Sequence, residues 1–185
     1  MRQFFFDPRM FFRTILFYLV ATAVWTGTFL LTNEFWESDF LAISGYPFVI
    51  AGTLIFAIGR FRWQQFILLP FGVLLIFWIN SFVIGPLAEN LFESYWWASF
   101  SCAVFVSATM TLLVNCRARI LFKKWTMLLT LICLLVAYYG IQRYQDLVFL
   151  NWGIAPRISI FLIFQTFMIF PLALGISVKE ADVQV

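Results

Sequence analysis

The sequence has no histidine, and only 11% of its 185 residues are charged. Without imidazole there is no bis-histidine haem, no ordinary zinc site and no commonplace general base. Three cysteines, Cys102, Cys116 and Cys133, lie far apart with no CxxC pair. That argues against a dithiol redox centre, an iron–sulfur cluster or a disulfide scaffold. None of the patterns GxSxG, GxxxxGK[ST] or GxGxxG occurs, so nucleophile-elbow, P-loop and dinucleotide-binding chemistry have no sequence support. The apolar stretches carry no ionisable group except Arg157 at one end. Proton pumps, ion-coupled antiporters and voltage sensors depend on such groups. We therefore expect no catalytic residue, no metal and no cofactor, and a protein that is not an enzyme.

What the chain has instead is apolar surface: 63% of residues are hydrophobic and 21% aromatic. A soluble domain is roughly 45–50% apolar and about 25% charged, and a chain this short cannot enclose the excess. Six apolar stretches stand between charged punctuation, at about 15–31, 41–59, 65–87, 97–115, 126–142 and 157–177. Each suits a helix of the length, about 17–25 residues, that crosses hydrocarbon. None alternates as a lipid-facing strand must. The expected fold is all-α: a polytopic membrane protein, a six-helix transmembrane bundle with short loops, forming one membrane domain over residues 1–185.

Charge sets the expected orientation. Ten of the twelve basic residues fall in the N-terminal segment, the second and fourth connections and the C-terminal tail, and six of the nine acids fall on the opposite side. By the positive-inside rule both termini are cytoplasmic, and we expect a bacterial plasma (inner) membrane. Trp36, Trp96, Trp97 and Trp152 mark one boundary and Trp63 and Trp125 the other, where indole finds both apolar and polar surroundings. The alternation of Phe4, Phe5, Phe6, Phe11 and Phe12 with Arg and Asp–Pro suits a short segment lying in the inner interface.

Two rows of small residues suggest close helix approach. Gly45, Gly52 and Gly59 recur every seven residues in the second span, and Ser99, Ala103, Ser107 and Thr111 every four in the fourth. Small residues let helix backbones pack closely in lipid.

Polar groups inside the spans are the sharper signal. Asn80 of the third span and Gln165 of the sixth fall at similar depth, roughly 10–12 Å below the outer boundary at 1.5 Å per residue, with Ser and Thr hydroxyls near them. An amide facing lipid is costly. We expect these two, with Trp25, Tyr46 and Trp78, to line an outward-facing polar and aromatic cavity for a small solute; interhelical hydrogen bonding without a cavity is the competing arrangement. The expected function is a small-solute transport or ligand-binding membrane component. The alternative is an accessory or assembly subunit of a larger membrane complex. Expected partners are membrane lipids and another membrane protein or a second copy, and not nucleic acid.

Overall fold

The computed structural model describes residues 4–32, 39–58, 63–92, 94–116, 118–151 and 156–180. These are mostly helical. In order they form strand β1 (Phe4–Phe6), helices α1 (Pro8–Thr32), α2 (Asp39–Ile58) and α3 (Trp63–Ile79), a π-helical turn (Asn80–Ile84), helices α4 (Gly85–Phe92), α5 (Tyr95–Asn115), α6 (Lys123–Asn151) and α7 (Pro156–Ser177), and strand β2 (Val178–Glu180).

Four stretches among the described residues are long and apolar enough to cross a membrane: Pro8–Thr28, Ile67–Leu91, Trp96–Asn115 and Lys123–Gln142. Pro47–Ile58 and Leu162–Ser177 are apolar but shorter. Many large apolar side chains point outward, among them Leu16, Phe71, Leu75, Phe82 and Leu112. Water would not tolerate an apolar surface so extensive, whereas lipid would. Trp96, Trp97 and Trp125 are more than half exposed near helix ends.

Local chemistry explains where the helices begin. α1 starts at Pro8, seven residues before its expected start. Asp7 is its N-cap: Met10 N–H donates to Asp7 Oδ1 at 3.1 Å, and Phe11 N–H to the Asp7 carbonyl at 3.2 Å. Proline follows at the first helical position, where its missing N–H costs nothing. Phe4–Phe6 pair antiparallel with Val178–Glu180, Phe5 opposite Lys179. The ladder continues as Asp7 N–H donates to the Ser177 carbonyl at 2.8 Å. The two ends of the described chain therefore meet at one end of the bundle.

The third expected span is broken. Gly85 N–H reaches back five residues to the Asn80 carbonyl, which defines the π turn. The next residue, Pro86, has no N–H, and its ring would collide with the carbonyl four residues earlier in a regular helix. Widening the preceding turn is one way a chain accommodates this. α4 then runs on to Phe92, five residues past the expected end at Leu87.

The helices close into a ring. α1 packs on α2, α2 on α3, α3 on α5, α5 on α6, α6 on α7, and α7 returns to α1. α7 also touches α2 and α5, so its Gln165, Met168, Ile169, Leu172, Ala173 and Ile176 are all buried. α5 is the other well-enclosed helix. Its small row, Ser99, Ala103, Ser107 and Thr111, is buried throughout.

The glycines divide differently from the heptad expectation. A Cβ on Gly45 would overlap the indole of Trp25 from α1, and one on Gly175 would lie 2.6 Å from Thr126 Oγ1 of α6. A Cβ on Gly52 would meet nothing within 4 Å, so the close approach expected there is corrected. Seven residues fall about 20° short of two full turns of a straight helix, and α2 is in tight contact at Gly45 but not at Gly52. Gly59 lies outside the described residues.

Candidate functional site

A cavity of about 190 Å³ opens beside the π turn. Phe77, Asn80 and Ser81 supply one wall, Cys102, Ala103 and Val106 of α5 a second, Leu134 and Tyr138 of α6 a third, and Phe164 and Met168 of α7 the last. The wall residues follow helical spacing: i, i+3, i+4 on the first helix and i, i+4 on α6 and α7, so each helix presents one stripe. Tyr138 and Phe164 close one side, with ring centroids 4.3 Å apart.

The polar equipment is sparse. Asn80 Oδ1 is buried without a hydrogen-bond partner among the described residues. An amide oxygen left so in low dielectric costs about 1–3 kcal/mol, and such a group calls for an explanation. The π turn places it there: Asn80 is its first residue, and π turns inside α-helices recur at functional sites.

Of the five side chains expected to line a cavity, Asn80 does so. With α4 ending at Phe92, Asn80 lies twelve residues, roughly 18 Å, from the end of the helix. Trp78 is corrected: it is 42% exposed and packs edge-on against Phe82, 6.1 Å between centroids, on the outside of the bundle. One residue is 100° of helix, so Phe77 faces inward where Trp78 cannot. Trp25 does not line this cavity; it packs over Gly45, and its Nε1 is buried without a hydrogen-bond partner among the described residues. The side chain of Tyr46 lies outside the described residues.

Gln165 is the unexpected member. It is fully buried, and neither its Oε1 nor its Nε2 has a partner among the described residues. It sits between the cavity residues Phe164 and Met168 on α7 but is not part of the cavity wall. Its neighbour Thr166 bonds Tyr18 of α1, with 3.0 Å between the hydroxyl oxygens.

Several hydroxyls counted towards the polar layer are satisfied locally instead. Thr28 donates to Val24 O at 2.8 Å and Thr166 to Leu162 O at 2.8 Å. Such bonds, four residues back along the same helix, are the ordinary fate of Thr in a helix interior. Asn80 Oδ1 and both amide atoms of Gln165 are not satisfied in this way.

Sequence reasoning missed Phe77, Cys102, Tyr138 and Phe164. Each is one aromatic or small residue among many, and only the facing of the helices distinguishes it. Among the described residues, no three His, Cys, Asp or Glu side chains cluster in a way that would hold a metal ion. The acidic loop residues Glu34, Glu37 and Glu93 lie outside the described residues.

A second concavity, about 650 Å³, lies at the opposite end of α1 from Trp25, where β1 and β2 pair. Its basic residues include Arg9, Arg13, Arg119 and Lys179. Arg13 Nη2 donates to the Phe56 carbonyl in the last turn of α2 at 3.0 Å, and its guanidinium lies 5.4 Å from the centre of the Phe17 ring. Lys179 Nζ is 2.6 Å from Asp7 Oδ2. That hydrogen bond, with a smaller contribution from Met10 N–H, holds the Asp7 carboxyl below its ordinary pKa of 3.8.

No protein-family model, curated protein or solved structure matches this chain.

Proposed function

We propose that this chain is a six-span membrane protein with both termini cytoplasmic in a bacterial plasma membrane, and that it binds a small, mostly apolar solute in the cavity beside Asn80 as a transport or capture component without chemistry of its own. One observation carries the reading: an unpartnered buried amide oxygen, held by a π turn, in a residue that lines a mostly apolar and aromatic cavity. Size limits the ligand. Pockets for drug-sized ligands run to about 300–1,000 Å³, while a dry cavity of about 150 Å³ accepts benzene. A single ring or a short chain fits, with a hydroxyl or N–H that Asn80 Oδ1 can accept from.

An even number of crossings, six in this reading, agrees with the pairing of β1 and β2 at one end of the bundle, because it returns the chain to its starting side. α2 and α7 then complete the set, and a homo-oligomer or a partner subunit supplies any energy coupling.

Cys102 lines the cavity and provides the test. With Cys116 and Cys133 changed to Ser, phenol is expected to slow alkylation of Cys102 by N-ethylmaleimide. Asn80→Leu should remove that protection while the protein still inserts. If phenol leaves the rate unchanged, the cavity is not a ligand site, and the accessory-subunit reading takes its place.

A further inference from the structure

We infer that the cleft at the β1–β2 end is a binding site for a phosphate-bearing anion, formed by Arg9 and Arg119 and framed by Arg13 and Lys179. The site is separate from the Asn80 cavity and does not depend on that cavity binding anything.

Four cationic side chains line the cleft, with Asp7 and Glu180 as its carboxylates. Asp7 is engaged by Lys179. Arg13 is held by the Phe56 carbonyl and the Phe17 ring, which fixes its charge in the wall. The side chains of Arg9 and Arg119 have no hydrogen-bond or ion-pair partner among the described residues, and both are exposed. Arg13 and Lys179 are balanced in number by Asp7 and Glu180, so the two free guanidiniums that open into the concavity supply its excess of positive charge. The planar guanidinium fork matches phosphate oxygens in pairs.

The cleft is built from distant parts of the chain. Arg9 and Arg13 come from the first two turns of α1, Arg119 from the connection between α5 and α6, and Lys179 from β2. That connection is not a loose loop. Ile120 is buried and its N–H donates to Asn115 Oδ1 at 3.1 Å, and the neighbouring Phe122 ring meets Phe4 of β1 at 5.1 Å. Arg119 is thereby anchored on the rim. The floor is apolar, from the ends of α2 and α7. A polar, cationic rim over an apolar floor at the end of a lipid-facing bundle fits the headgroup and upper glyceryl part of an anionic phospholipid. A soluble phosphate compound shares the same recognition chemistry.

The test uses the full-length protein in a neutral detergent. Thermal stability is followed while dihexanoyl phosphatidylglycerol, dihexanoyl phosphatidylcholine or inorganic phosphate is titrated in. Variants are Arg9→Gln, Arg119→Gln and, as a control with an exposed cation outside the cleft, Lys124→Gln. Neither cleft arginine makes a bond that folding needs, so both variants should fold. Phosphatidylglycerol is expected to stabilise where phosphatidylcholine does not, and each cleft variant to weaken its apparent affinity about fivefold, in line with the value of one basic residue at an anionic surface. Lys124→Gln should leave it unchanged. If inorganic phosphate reproduces the shift with the same dependence on Arg9 and Arg119, the site stands and its ligand is a soluble phosphate. If neither anion stabilises the protein, or if the cleft variants bind as Lys124→Gln does, the proposal is overturned.

Discussion

The indole of Trp25 occupies the space that a side chain on Gly45 would need. α1 and α2 are thus keyed together by one rigid knob and one missing Cβ, and an indole cannot yield as a flexible side chain would. Gly45→Ala should destabilise the protein by the ~1–3 kcal/mol typical of overpacking. Gly52→Ala meets open space and should be neutral, or stabilising by up to ~1 kcal/mol through helix propensity. Trp25→Leu placed in the Gly45→Ala background should recover part of the loss. Thermal denaturation in detergent measures all three, and equal losses at positions 45 and 52 would remove the knob from the account.

Gln165 yields a prediction of opposite sign. Both its amide atoms are buried without partners. Replacing them with an apolar side chain of similar volume removes a desolvation cost of about 1–3 kcal/mol per unsatisfied group. Gln165→Met should therefore raise the unfolding temperature. A fall would mean that the amide is satisfied in the membrane, and that it contributes to the fold.

The Asp7–Lys179 pair predicts a pH dependence. The folded pKa of Asp7 is depressed below 3.8. Its contribution is therefore complete above that value and is lost as pH falls through the lower, folded pKa. Protection of the β1–β2 ladder amides, taken relative to their intrinsic exchange rates at each pH, should fall at the acid end of that window. Asp7→Asn should make exchange faster at neutral pH and flatten the acid response. An unchanged acid response in Asp7→Asn would assign it to another group.

Reporter fusions check the proposed topology. Those placed after Glu37, Glu93 and Asp146 should report the outer side, and those after Arg62, Arg119 and Lys179 the inner. One clear reversal would break the six-span reading.

Composition and hydropathy made the helical membrane architecture legible, and the apolar stretches mark helix positions closely where charge ends them. They mark them poorly where helix and hydrocarbon part company. α6 runs to Asn151, nine residues past Gln142 and through Arg143 and Asp146, because a helix has no reason to stop where the lipid does. The same underestimate came at Pro8, where α1 begins seven residues before the apolar stretch. The Asp–Pro cap was visible, but it lies in a stretch rich in Phe and Arg that hydropathy assigns to the interface. Facing is the deeper difficulty. In a soluble helix the polar stripe reveals the outside. Here lipid-facing Leu75 and core-facing Val73 are equally apolar, and nothing in the pattern distinguishes Phe77 from Trp78. Asn80 was readable because an amide is costly in either direction. Its aromatic companions carry no such mark, and the π turn had Pro86 as its sole herald.

The pairing of Phe4–Phe6 with Val178–Glu180 also bears on how the chain is made. Lys179 reaches Asp7 across 172 residues of sequence, and α1 packs its other flank on α7. As the ribosome delivers the helices in order, α1 enters the bilayer with one side unmatched and stays so until the seventh helix arrives. Contacts this distant carry a loop-closure cost and slow the final assembly step. The stage at which the protein is most exposed to quality control is then the interval between insertion of α6 and docking of α7, when the wall of the ring that α7 completes is still missing.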